Sequence, residues 1–178
     1  MGPVFTEVTD STIKVTHESR GHKRWKTKIK LDSTPIAITD GTSSGSHGAK
    51  LLGTLIEGHI AFQGGVMNIT GMTETSALTT AAGDGVFEIG VGSTAIAAAA
   101  DGALAAANDN IVGDVNITMS GGDGSGSIST GAGGVHDGSA TACPVYLNAS
   151  GTAATIDADG TITVTGTIDF VWELICDD

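Results

Sequence analysis

The sequence predicts an all-β protein, an antiparallel sandwich or jelly roll, with a basic arm at its N-terminus. Three observations carry that expectation. Apolar and polar residues alternate with period two in segment after segment, stretches rich in Gly, Ser, Thr and Asp separate those segments, and a single region has the composition of a helix. The chain has 178 residues, enough for one domain. Only 40 of them are Ile, Val, Leu or Phe, just above the range in which disorder becomes the default, so the core should be lean.

Taken in order, residues 1–24 form the arm and residues 25–178 the sandwich. In the arm, residues 4–8 and 12–16 have strand propensity. A polar, basic spacer follows, from His17 and Glu18 through Arg20, His22, Lys23 and Arg24. Residues 25–31 alternate cleanly, with Trp25, Ile29 and Leu31 on one face and Lys26, Lys28 and Lys30 on the other. That is either an edge strand protected by charge or a surface for an acidic partner, and the two readings are compatible. Residues 35–39 form a short strand that ends in the turn-rich run 40–45. In 56–63, Ile56, Ile60 and Phe62 oppose Glu57, His59 and Gln63; residues 66–70 and 86–91 are further short strands.

Thr94 caps an alanine-rich segment reaching about residue 107, a marginal helix or a loop packed over one sheet. In 111–119, Ile111, Val115, Ile117 and Met119 share a dry face. Residues 121–138 have too little apolar surface to pack and read as a long exposed loop. After a strand at 145–147, Asp159-Gly160 suits a hairpin turn. The closing strand turns Ile162, Val164, Ile168, Phe170, Trp172 and Leu174 inward, with Gly166 as a bulge.

Charge narrows the function. All eight basic residues lie at or before Lys50, where five acids (Glu7, Asp10, Glu18, Asp32, Asp40) leave that part at +3; the remaining 128 residues hold fifteen acids and no Lys or Arg. Such a body repels nucleic acid and anionic lipid, so neither is expected as a partner. No apolar stretch after Met1-Gly2-Pro3 resembles a signal peptide, and no run approaches the ~20 apolar residues of a membrane helix. Cys143 and Cys176 have no zinc-site or disulfide-framework spacing and read as small core residues.

Motifs of chemistry are weak. Gly41-Thr42-Ser43-Ser44-Gly45 matches a nucleophile elbow in letters, yet no helix pattern follows Ser43. Gly90-Val91-Gly92-Ser93-Thr94-Ala95 resembles a dinucleotide fingerprint, with Asp109 or Asp114 as the later acid, but repeated βαβ units are lacking. Asp157-Ala158-Asp159-Gly160 opens like a calcium loop whose twelfth position is Ile168 rather than Glu. The five histidines have no metal-ligand spacing. The expectation is a non-enzymatic protein with no cofactor and no metal.

Residues 29–41, the strand Val86-Phe87-Glu88-Ile89-Gly90-Val91 leading into small residues, Pro144-Val145-Tyr146-Leu147-Asn148 and the closing run from Gly160 to Ile168 together resemble the capsid decoration (cement) proteins of tailed bacteriophages, over about residues 28–178. The resemblance implies a jelly-roll-like antiparallel β-sandwich. It also implies a homo-oligomer, often a trimer, that binds the major capsid protein on the outside of the virion and stabilises the shell after assembly in the bacterial cytoplasm. The basic arm departs from that pattern. Its role is expected to be attachment: Arg20, Lys23, Arg24, Trp25, Lys26 and Lys28 would bind the capsid, with Trp25 inserted in a pocket of the shell and the charges around it. The alternative is a host-recognition or adhesive domain, a phage fibre or bacterial surface module, using the Gly/Ser loops for contact.

Overall fold

The computed structural model describes residues 5–41, 45–74, 78, 85–97, 103–105, 107–120, 122–130, 133–138, 141–151 and 158–176. Among them there is no helix, and the strands are β1 (Phe5–Glu7), β2 (Ile13–Ser19), β3 (Arg24–Ile38), β4 (Ser46–Leu55), β5 (Gly58–Glu74), β6 (Val86–Gly92), β7 (Val112–Thr118), β8 (Asp123–Thr130), β9 (Val135–Gly138), β10 (Pro144–Gly151) and β11 (Gly160–Cys176). They form two sheets with every pairing antiparallel. Sheet A runs β1-β4-β10-β6-β7 and sheet B runs β2-β3-β11-β5-β8, with β9 also on β5. With β1, β2 and β9 set aside, the other eight strands, counted in chain order, run 1-8-3-6 in one sheet and 2-7-4-5 in the other. That winding is a jelly roll.

Sheet B is built around β11, whose inward residues Ile162, Val164, Ile168, Phe170, Trp172 and Leu174 are buried as the alternation requires. Pairing slips beside Gly166 on both sides of β11, so the bulge falls at the expected glycine. The core lies between the sheets, with Ile29, Leu31 and Ile36 of β3 and Phe62 of β5 meeting Phe87 of β6 and Leu147 of β10. Cys143 is part of it, and burial pushes its thiol up to about 12, which leaves it inert. The Cys176 side chain lies outside the described residues.

Several expectations need correction. Residues 5–19 are not an appendage: β1 pairs with β4 in sheet A and β2 with β3 in sheet B, and Phe5 and Ile13 enter the core. The crossing between them is tied down by Asp10, which accepts hydrogen bonds from the Thr12 N–H (2.9 Å) and hydroxyl (2.7 Å) and pairs with Lys50 at 2.6 Å. Those contacts hold the Asp10 carboxyl well below the usual carboxylate range. The segments 25–31 and 35–39 are one strand, β3, and it is interior rather than an edge because β2 covers its flank. Asp159-Gly160 is not a hairpin turn: β10 and β11 lie in different sheets, and Asp159 accepts the Asp40 N–H at 2.7 Å.

The stretch 121–138 is largely not a loop. Residues 123–130 pair with β5 as β8, and 135–138 pair with it as β9. Composition misleads here because Gly124 and Gly126 face β7. A Cβ on Gly124 would lie 2.7 Å from Ile117 Cγ2, and one on Gly126 would lie 3.1 Å from Val115 Cγ2. The large side chains of β7 occupy the volume that β8 leaves free, so β8 needs little apolar surface of its own.

Candidate docking surface

The two outer faces of the sandwich differ. On sheet A, Asn148 of β10 points outward yet is fully buried, because residues around Thr94, Ile96 and Asn108 lie over it. Its Oδ1 accepts the Ile96 N–H (3.0 Å), and its Nδ2 donates to the carbonyls of Thr94 (3.0 Å) and Asn108 (2.7 Å). Asn108 accepts the Ala105 N–H and donates to the Thr94 carbonyl, while Asn110 accepts the Ser93 N–H. The described part of the alanine-rich stretch is therefore a packed loop and not a helix. Two backbone bonds close it, from the Thr94 N–H to the Ala107 carbonyl (3.1 Å) and from the Asn108 N–H to the Ala105 carbonyl (2.7 Å), and asparagine side chains satisfy further backbone groups.

Gly90 and Gly92, the suggested nucleotide-binding glycines, face this cover. A Cβ at Gly90 would meet Leu104 Cδ1 at 2.7 Å, and one at Gly92 would overlap the backbone of Ala107 and Asn108. The protein's own loop fills the space a pyrophosphate would need. Asp109 and Asp114, the acids considered for a ribose, crowd Glu88 instead. Desolvation, followed by the hydrogen bond with Asp114, raises the Glu88 carboxyl to about 7, and burial together with Asp114 raises Asp109.

Sheet B's outer face carries no such cover among the described residues. One row across it reads Lys14, Lys30, Thr167, Asn68, Ser127; the next reads Thr16, Lys28, Asp169, Val66, Ser129. All ten side chains are exposed or half-buried. Lys14, Lys28 and Lys30 cluster on β2 and β3 and form no ion pair with a described carboxylate. Beside them Lys26, Gln63, Val66, Asp169 and Val171 border an open depression of about 290 Å³, with Val66 45% exposed.

The β2–β3 hairpin tip carries the rest of the basic charge. Gly21, His22 and Lys23 all have positive φ (80°, 46° and 61°), and the Arg24 N–H donates to the Gly21 carbonyl at 3.0 Å to close the turn. Of the six residues expected to bind a capsid, Arg20 pairs with Glu18 (2.9 Å), Arg24 with Glu173 (3.1 Å) and Lys26 with Asp169 (3.4 Å). Lys23 and Lys28 remain without a described ion-pair partner. Trp25 is a core residue: only 7% exposed, it stacks on Trp172 with ring centroids 4.6 Å apart. It cannot insert into another protein without emptying the core beneath β3, so Trp25 is not an anchor. Lys30 belongs to the surface as part of the lysine face of β3, and Lys14 joins it from β2 although it is not among the expected residues. The signal for Lys14 was present in the alternation of Ile13 and Val15 with Lys14 and Thr16.

Thr27 Oγ1 lies 3.1 Å from His17 Nδ1, but Thr27 is fully buried and also accepts the Trp172 indole N–H at 2.9 Å, so the pair is structural. Ser43 and Asp157 lie outside the described residues. Among the described residues no three His, Cys, Asp or Glu side chains converge as metal ligands, and no helix is long and apolar enough to cross a membrane.

No family model and no curated protein matches this chain. Among solved structures, it is similar to a carbohydrate-binding module, TmCBM27, studied for specific mannan recognition, at 9% identity and a TM-score of 0.32, over 96% of this chain and 88% of that one. A likeness at that level says nothing about ligands, and the jelly-roll assignment rests on the strand order.

Proposed function

We propose that this is a non-enzymatic virion structural protein that binds the outer surface of a tailed-phage capsid through the lysine-bearing face of sheet B and stabilises the shell. The observation that carries the reading is the cluster of Lys14, Lys28 and Lys30, unpaired and uncovered among the described residues, on a sheet face of a chain whose net charge is −12. The textural resemblance to decoration proteins supports the choice of partner, an acidic patch of the major capsid protein. In this reading the lysines orient the encounter and speed it, while Val66 and the neighbouring depression supply contact area that persists in salt. Exposed charges alone are screened over ~8 Å at physiological ionic strength.

Removing residues 1–24 would delete two strands and part of the core, so charge reversal is the cleaner probe. The triple variant Lys14→Glu/Lys28→Glu/Lys30→Glu should keep the wild-type circular dichroism spectrum. It should bind undecorated capsids at least about tenfold more weakly, since each 1.4 kcal/mol lost is a factor of ten. Electron microscopy of wild-type particles should place sheet B against the shell. Unchanged occupancy of the triple variant across a salt series would remove this docking mode. Binding of the wild type to host cells but not to capsids would favour the adhesive alternative.

A further inference from the structure

The sandwich has four lateral edges, and three are blunted. β1 is only three residues long. β2 carries Lys14 and Glu18, and β7 carries Asp114, charges of the kind that keep edge strands from pairing with other chains. β8 is different. After Asp123 its eight-residue strand has no charge and no proline; Ser125, Ser127 and Ser129 are exposed, and Gly124 and Gly126 present no side chain. Residues 124–130 make their backbone ladder with β5 alone, which leaves the other side of the strand without a backbone partner among the described residues. Next along this edge stands Val135 of β9, 63% exposed and the most exposed large apolar residue described.

We propose that β8 is a pairing edge, and that its partner is β8 of a second copy of this chain, antiparallel across a twofold axis perpendicular to the sheet. An eight-residue edge without charge after its first residue is a template for strand addition. Self-pairing suits this one because antiparallel alignment sets serines opposite serines and keeps the two Asp123 side chains at opposite ends of the ladder. Two copies with net charge −12 approach here without opposing like charges within the strand. A twofold perpendicular to the sheet makes the contact isologous, so each copy buries the same patch, with Val135 at its margin. It also turns both Lys14, Lys28 and Lys30 clusters to the same side of one continuous sheet. The proposal does not depend on what those lysines bind.

Sedimentation equilibrium of the full chain, with paired charge variants, tests it. The wild type should form a dimer in the micromolar range. Ser125→Lys/Ser127→Lys and Ser125→Glu/Ser127→Glu place like charges opposite each other whether the ladder is centred on residue 126 or 127. Each variant alone should therefore sediment as a monomer with unchanged circular dichroism. Mixing the two should restore the dimer, a result that a merely destabilising substitution would not give. A monomeric wild type would overturn the proposal, as would Lys and Glu variants that keep the wild-type association state, or a mixture that stays monomeric.

Discussion

The outer faces of the two sheets solve opposite problems. Sheet A buries the outer side of β6 and β10 under a loop of its own chain, using small residues in the strands (Gly90, Gly92, Ser150) and a buried asparagine to accept the loop's backbone. Sheet B leaves its outer face to solvent and lines it with Thr, Ser, Asn and Lys. Charge divides the same way. Seven of the eight basic residues lie on β2, β3 or the tip between them, where Arg24 and Lys26 pair with acids of β11; Glu88, Asp109 and Asp114 under and beside the cover of sheet A have no described cation and crowd one another. The covered face should therefore be tuned for stability and the bare face free for contact.

That contrast breaks most directly at Asn148. Asn148→Ala leaves the Ile96 N–H and the Asn108 carbonyl without their partner beneath the loop, and each orphaned buried polar group costs about 1–3 kcal/mol. The expected loss in urea unfolding is about 3 kcal/mol. Asn68→Ala, on the bare face, should stay within about 0.5 kcal/mol of wild type. Equal losses would mean that the loop contributes no more to stability than a surface residue does.

A smaller effect separates two glycines. Gly92→Ala drives a methyl into the backbone of Ala107 and Asn108, so the cover must lift, at an expected cost of about 2 kcal/mol. Gly71→Ala on β5 meets nothing closer than Thr165 Cβ at 4.0 Å and should be neutral or slightly stabilising, because alanine has less backbone entropy to lose. Thermal melts of the two variants that shift equally would show that the cover is not close-packed.

What the sequence revealed follows the same division. β11 was legible to the residue because both its faces obey alternation and its bulge sits on a glycine. The lysine face of β3 was legible for that reason too, while its position inside the sheet was not: pairing with β2 is a long-range fact that a basic, turn-rich composition conceals. β8 was missed because its inward positions are glycines whose space is filled from β7, a complementarity no window along the chain contains. The cover on sheet A was half-legible. Small residues announced a close approach but not its occupant, and the asparagines that hold it, Asn108, Asn110 and Asn148, lie up to forty residues apart. Trp25 was misjudged as a ligand of another protein because its partner, Trp172, lies at the far end of the chain.

The subtlest test of the contrast is electrostatic and belongs to Glu88, whose Oε2 accepts the Leu104 N–H of the cover at 2.6 Å. Its folded carboxyl titrates at about 7, above the ordinary 4.5, chiefly because burial disfavours the charge and because the protonated form hydrogen-bonds with Asp114. Below about pH 4.5 folded and unfolded chains both hold this proton. Between 4.5 and 7 only the folded chain does, so Glu88 makes stability fall as pH rises through that window and level off above it. Solvent reaches this half-buried site and screens the effect, which should be on the order of 1 kcal/mol. Glu88→Gln keeps an oxygen for Leu104 and a donor for Asp114 at every pH. It should match wild type at pH 4, exceed it at pH 8 and remove this part of the slope between them. The corresponding acid on the bare face, Glu173, is paired with Arg24, so Glu173→Gln should show no gain at pH 8. Urea midpoints of the three proteins across pH 4–8 would decide it, and parallel profiles for wild type and Glu88→Gln would mean that the carboxylates beside the cover are solvated as freely as those on sheet B.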